Sequence, residues 1–360
     1  EYALCIIMIY LTLQIVFGLL LTQRMYGEMD KISTKARRLH YLPTCTDNSH
    51  VTGSWIRKSP EELVPNAKSF FCCSTSNYIN HPNECGVKNQ DDLFENYIDT
   101  ITGKNHSMAF HHHYCDCDKA DIYGVSEIDS YKWSPQHCHL HDWDASRFCD
   151  ALGNRTILFI GDSTMLHFSL SLMSMIATDS NRTSNYKNNC NSQLRFARSW
   201  YLTFRYYKEP YNLKEYAMIY KPDILVMGVG AHLQDMGDLS MILSGLEQVI
   251  SSLRAKLPRT KLVWKTMAPG HLQCEHYTAP IEQFHLGDPH LDKYYWNIHQ
   301  KFDEVSRNFS RDHNLAVVDV APIYLRPDAH PPGDCLHFCV PGPLNLGANL
   351  LMQMLINKEL

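Results

Sequence analysis

The chain has 360 residues, 44% of them hydrophobic and 20% charged, with a formal net charge of −5. That is an ordinary globular composition, able to bury the core of one large domain or two smaller ones. With an acidic balance and no long basic run, nucleic acid is excluded as the expected partner.

The first element in chain order is the apolar run Tyr2–Thr22 (YALCIIMIYLTLQIVFGLLLT), broken only by Gln14 and a few hydroxyls. At about 1.5 Å per residue, about 20 helical residues cross a bilayer core of roughly 30 Å. A cleaved signal peptide needs only about 7–15 apolar residues, so residues 1–22 read as an uncleaved transmembrane anchor. Arg24, Lys31, Lys35, Arg37 and Arg38 follow it, and the positive-inside rule would draw that flank into the cytoplasm. The chain opens on Glu1 rather than Met, which leaves the charge of the opposite flank open. The cysteines argue the other way. Of thirteen, twelve lie beyond Cys5, an even number concentrated in loop-like sequence, as in an oxidising lumen. Asn105, Asn154, Asn181 and Asn308 each open an N-x-Ser/Thr sequon. The expectation is a single-pass protein with a cytoplasmic N-terminus and its bulk in the secretory lumen.

Residues 23–44 are polar and basic, a stem. Residues 45–150 form a lobe rich in Cys, His, Asn, Asp and aromatics, with little sustained periodicity. Its cysteines (45, 72, 73, 85, 115, 117, 138 and 149) read as a disulfide framework whose pairing stays open. The run His111-His112-His113-Tyr114-Cys115-Asp116-Cys117 invites a zinc reading. Structural zinc sites usually space their cysteines by about two to four residues, and C-x-C is a poor match, so no metal is expected.

Residues 151–360 alternate between two periods. Apolar runs at 157–160, 223–229, 261–267 and 315–320 read as buried strands. Leu239, Ile242, Leu243, Leu246, Ile250, Leu253 and Leu257 mark one helix face, with Asp238 as its N-cap. Leu291, Tyr294, Ile298, Phe302, Val305 and Phe309 mark another. Strands alternating with helices predict an α/β fold, a doubly wound parallel sheet covered on both faces.

In such sheets, sites form beyond the carboxyl ends of the strands. Ser163 falls there, between the strand "ILFIG" and a helix beginning near Thr164. The helix N-terminus offers amide N–H groups and partial positive charge to a developing oxyanion. A serine hydroxyl needs a base, usually a histidine oriented by a carboxylate. Asp334-Cys335-Leu336-His337 supplies both: D-x-x-H spacing lets Asp334 reach Nδ1 of His337 and leaves Nε2 for Ser163. The plainer alternatives are a helix cap for Ser163 and a hydrogen-bonded loop histidine for His337. The elbow G-x-S-x-G is absent, since Met165 holds its last position. Cys335 and Cys339 bracket His337, so tethering them would hold the imidazole near its rotamer; a staple for the loop alone is the other reading.

Gly161-Asp162-Ser163 with Asp334-x-x-His337 resembles the SGNH (GDSL) hydrolase superfamily. The flanks resemble its PC-esterase branch, the trichome birefringence-like polysaccharide O-acetyltransferases. The run from Cys45 to Gly53-Ser54-Trp55 is similar to their C-x-x-x-x-x-G-x-W opening, with extra residues. Trp133, Pro135, Cys138, Leu140, Asp144 and Ala145 match the segment before the GDS strand. "KPDILVMGVGAH" resembles their strand ending in G-H, and "WKTMAPGH" their S-P-x-H segment. "RPDAHPPGDCLHFCVPG" resembles the block that carries R-x-D-A-H-P and D-C-x-H-W-C-x-P-G. The match spans roughly residues 45 to 356.

The resemblance implies a Golgi O-acetyltransferase of glycan hydroxyls. Ser163 would be acetylated, His337 would be the base, and Asp334 would orient it. The oxyanion would be met by the Ser163 amide, Gly230 and His232 or His167; Arg326, Asp328 and His330 would meet substrate. An acetyl donor is the co-substrate, and no bound cofactor is implied. The Ser-Arg-Asn-like stretch that follows GDS in that family is replaced here by Thr164-Met165-Leu166-His167. Losing one oxyanion donor typically costs about 10²–10³ in rate. An acetyl-glycan esterase with the same triad, or a non-catalytic glycan-binding protein on this fold, are the competing expectations.

Overall fold

The computed structural model describes residues 42–46, 50–60, 62, 127–178, 190–205, 209, 211–285, 287–331, 333–340 and 342–360. The expected anchor and nearly all of the stem, the His111–Cys117 cluster, Asn105 and Asn181 lie outside the described residues. Among the described residues, no helix is long and apolar enough to cross a membrane.

Seven strands are described. A two-stranded antiparallel sheet joins β1 (Gly53–Arg57) and β2 (Tyr131–Pro135). The main sheet holds β3 (Ile157–Gly161), β4 (Leu194–Arg198), β5 (Ile224–Gly228), β6 (Lys261–Lys265) and β7 (Ala316–Val318). Its order is β4-β3-β5-β6-β7 and every pairing is parallel. Six α-helices accompany the strands: α1 (Ala145–Leu152), α2 (Ser163–Thr178), α3 (Leu213–Tyr220), α4 (Met236–Lys256), α5 (His299–Asp312) and α6 (Asn345–Ile356).

The strand pleat sorts residues onto two cores. Ile157 and Phe159 face one side with Phe148 of α1, Phe168 of α2 and Leu351 of α6. Leu158 and Ile160 face the other with Leu213 of α3, Leu246 of α4 and Phe302 of α5. Every residue of β3 and β5 is buried, which is why both read as unbroken apolar runs. β4 was not expected from the sequence. It is an edge strand, LRFAR, whose Arg195 is half-buried and whose Arg198 is exposed, so its pattern never becomes an apolar run.

Two helix boundaries differ from expectation. α4 is capped by Asp235, which accepts from the Asp238 amide at 2.9 Å; Asp238 sits in the first turn and accepts from the Gln234 amide. The periodic residues Leu291 and Tyr294 lie outside α5 and are exposed, because the chain makes short 3-10 turns before His299. Their helical spacing is coincidental.

The small sheet packs on the main core. Trp55 and Trp133 face each other across it, with ring centroids 5.6 Å apart. Trp55 Nε1 donates to the Pro322 carbonyl at 2.8 Å. Disulfides join Cys45 to Cys138, Cys149 to Cys190 and Cys274 to Cys335; Cys339 is disulfide-bonded as well. Cys335 is thus tethered to a loop after β6 and not to its neighbour Cys339.

Candidate active site

Chain direction across the main sheet reverses between β3 and β5, because the chain leaves β3 for β4 on one side and returns to β5 on the other. In open parallel sheets such a switch point, beyond the strands' carboxyl ends, is where ligands bind. β3 delivers Gly161-Asp162-Ser163 to this point. Gly161 is demanded by backbone proximity: a Cβ would stand 2.1 Å from the Gly228 carbonyl and 2.7 Å from Met165 Cβ. Asp162 is fully buried and accepts four hydrogen bonds. Its Oδ1 takes the Thr164 amide and hydroxyl at 2.9 and 2.7 Å; its Oδ2 takes the amides of Gly230 and Ala231, both at 3.1 Å. The acid therefore caps α2 and fixes the turn after β5 to the turn after β3. Ser163, the first residue of α2, is left partly exposed.

The loop before α6 brings a histidine and an acid to that serine. His337 Nε2 lies 2.8 Å from Ser163 Oγ, and His337 Nδ1 lies 2.6 Å from Asp334 Oδ2. Asp334 Oδ1 accepts the amides of Leu336 and His337 at 2.9 and 3.1 Å, so the D-x-x-H segment is an acid-centred turn. Burial alone would raise the Asp334 carboxyl; its bonds to His337 and the two amides outweigh that and hold it well below the ordinary carboxylate range. An ionised acid accepts the Nδ1 proton and leaves a lone pair on Nε2 for the serine hydroxyl. Three ties fix the loop: the Cys274–Cys335 disulfide, the His271 amide donating to the Cys335 carbonyl at 2.8 Å, and the Cys339 amide donating to Ala329 at 2.9 Å.

Of the other expected site residues, His167 and His232 stay near His337, and the rest are engaged elsewhere. The Gly230 amide, expected at the oxyanion, is engaged by Asp162. His167 is buried, with its ring against that of His337 at 4.5 Å and a hydrogen bond to the Phe338 backbone. Burial, and then the neighbouring His337, push it well below the ordinary histidine value, so it packs as a neutral ring. His232 stacks flat on Trp200, centroids 4.1 Å apart, within electrostatic reach of Asp162 and His337. Trp200 was not singled out from the sequence; nothing local distinguishes it.

Arg326 and Asp328 are not substrate-facing. Arg326 is fully buried, paired with Asp328 at 2.9 Å and stacked between Trp55 and Tyr131 at 4.8 and 5.2 Å. It also donates to the Ile128 carbonyl at 2.7 Å, so this pair joins the small sheet to the main domain. His330 is buried behind the loop and contacts His271 and the His337 carbonyl. The sequon residues Asn154 and Asn308 are exposed. Among the described residues, Cys274, Glu275 and Cys335 lie close enough to hold a cation, but the two sulfurs are bonded to each other.

A parallel sheet with its serine at the switch point, joined to a histidine and an acid from a late loop, is an α/β arrangement similar to that of SGNH hydrolases. No family model matches the chain. It is 22% identical to xyloglucan O-acetyltransferase 1 of Arabidopsis thaliana over 297 residues, 62% of this chain and 70% of that protein. The resemblance to PC-esterase-type O-acetyltransferases therefore has a curated counterpart. Among solved structures, a putative GDSL-like lipase of Parabacteroides merdae is 19% identical, over 56% of this chain and 94% of its own, with TM-score 0.33. An acetyl xylan esterase is 16% identical over 57% and 100%, with TM-score 0.34. A putative SGNH hydrolase of Slackia heliotrinireducens is 14% identical over 56% and 100%, with TM-score 0.37.

Proposed function

We propose that the protein is an O-acetyltransferase that modifies glycan hydroxyls through an acetyl-Ser163 intermediate. The observation that carries this reading is the 2.8 Å contact between Ser163 Oγ and His337 Nε2, with Asp334 at 2.6 Å behind the ring. As Oγ attacks the acetyl carbonyl carbon, its proton passes to Nε2; the donor's leaving group takes that proton as the tetrahedral adduct collapses. A sugar hydroxyl then gives its proton to Nε2 while its oxygen attacks the acyl carbon, and Ser163 leaves reprotonated. The Ser163 amide and the N-terminal end of α2 meet the oxyanion, with His232 as the side-chain candidate. The glycan substrate class and the transferase outcome rest on the likeness to the plant xyloglucan enzyme. The disulfides among the described residues support assignment to an oxidising compartment. With residues 1–22 as anchor, the catalytic part belongs on the lumenal side of a Golgi membrane, with glycans on exposed Asn154 and Asn308.

The test is intact-mass detection of a Ser163-dependent acetyl adduct after incubation with activated acetyl esters, followed by addition of glycan acceptors. An adduct that is absent in Ser163→Ala and discharged onto sugar establishes the transferase. Discharge to water at one rate with or without sugar replaces it by an esterase. Glycan binding with neither adduct nor turnover removes the enzymatic reading altogether.

A further inference from the structure

Behind the loop that carries His337, two buried histidines link two backbone carbonyls. His271 Nε2 lies 2.9 Å from the Tyr324 carbonyl oxygen, and His271 Nδ1 lies 2.7 Å from His330 Nε2. His330 Nδ1 lies 2.7 Å from the carbonyl oxygen of His337 itself. A carbonyl only accepts, so each outer contact needs an N–H on the ring; the central contact, between two ring nitrogens, needs one proton. Three contacts require three protons, and two neutral imidazoles carry two.

We propose that His271 and His330 form a proton-bridged pair that grips the His337 carbonyl with three protons and one shared positive charge, and loosens one of its three contacts when the third proton leaves. The pair consists of positioning residues: it touches the main chain of the base and no reacting atom. Its bearing on catalysis rests on the acyl-transfer reading above; its proton count does not.

The surroundings set the direction of the titration. Phe284 and Phe338 pack against the rings, at 5.6 Å from His271 and 4.3 Å from His330, and exclude water. Burial presses both rings towards neutrality, His271 to about 4 and His330 well below the ordinary histidine value. Asp334, from the same loop as His330, favours the proton, while His337 opposes it. His299, the first residue of α5, is within electrostatic reach of His271, and the Tyr324 phenol is committed to Asp303 at 3.0 Å. The gripped state therefore belongs to the acid side of an ordinary histidine, and the neutral pair is one proton short.

Histidine-selective ¹⁵N labelling of the protein, titrated from about pH 8 down to the acid limit of the fold and assigned with His271→Gln and His330→Asn, tests this. One proton shared by the two rings in a single step is the expected result. Two independent titrations, or two rings that stay neutral throughout while the fold is intact, would overturn it. A kinetic arm uses His271→Gln, whose amide nitrogen brings two N–H groups and supplies the missing proton without charge. That variant is expected to keep turnover of an acetyl ester while losing one step of the pH–rate profile; His271→Phe is expected to lower turnover at every pH. An unchanged profile in His271→Gln counts against the pair. The spectra need no turnover, so failure of this inference and failure of the acyl-transfer reading are distinguishable.

Discussion

The carboxylate of Asp162 lies one hydrogen bond, 3.1 Å, from the amide of Gly230, and that bond joins the turn carrying Ser163 to the turn after the neighbouring strand. All four of Asp162's partners are donors. Asp162→Asn would turn an NH₂ towards two of them in a fully buried site. Each donor left unsatisfied costs about 1–3 kcal/mol, so a loss of about 2–6 kcal/mol in urea unfolding is expected. A loss below about 0.5 kcal/mol, the scatter of ordinary surface substitutions, would show that the two turns do not depend on this bond.

Asp334→Asn keeps the turn but reverses the donor at Nδ1 of His337. Turnover is expected to fall about 10³–10⁴-fold with the Ser163 adduct formed correspondingly slowly. The native carboxyl sits below its ordinary value, so its contribution to stability is full above the unfolded carboxyl's pKa and fades as pH falls through the native one. The wild type should therefore exceed the variant in stability at pH 6, and the two curves should converge in strong acid. Parallel curves would refute this.

Reduction-proof removal of the Cys274–Cys335 bridge separates anchoring from catalysis. The bridge spans 61 residues, a loop whose closure is worth about 4 kcal/mol in the chain-entropy model. The double variant to serine should lose stability on that scale. It should also lose about 10²-fold in turnover, since the loop holding His337 is freed by a fraction of an ångström to about 1 Å. Full activity in a folded double variant would mean that the backbone bonds hold the loop unaided.

Lys265, at the end of β6, is buried, with its ammonium donating to the Thr266 carbonyl at 2.8 Å. Burial lowers it from 10.5 to about 8, against the pull of Asp162 and Asp303. The unfolded chain thus binds more protons between those two values. Stability should rise with pH across that window, by up to about 3 kcal/mol, and be level in this respect on either side. Lys265→Met should abolish the rise, as read by denaturant unfolding at pH 7 and pH 10. A rise that persists in the variant assigns it to another group.

Much of the fold is legible because its strands are buried on both faces. β3, β5, β6 and β7 each lie within an apolar run, while β4 hides because an edge strand keeps its arginines. Asp238 and Asp235 are equally good caps on paper; the helix starts one turn earlier, where Asp235 accepts from the Asp238 amide. Arg326 and Asp328 read as substrate groups only through the family resemblance, yet they pair inside a box of two aromatic rings.

By itself the sequence determined the local chemistry: a strand that ends on Gly161-Asp162-Ser163, and an acid three residues before a histidine, where spacing alone lets the carboxylate reach the ring. Only the tertiary structure decided that residues 174 apart in the chain meet at 2.8 Å, that Gly230 serves Asp162, and that His271 and His330 stand behind His337. The reason is physical. Short-range spacing fixes hydrogen bonds within one turn, whereas the meeting of distant loops depends on how two buried faces of one sheet are packed.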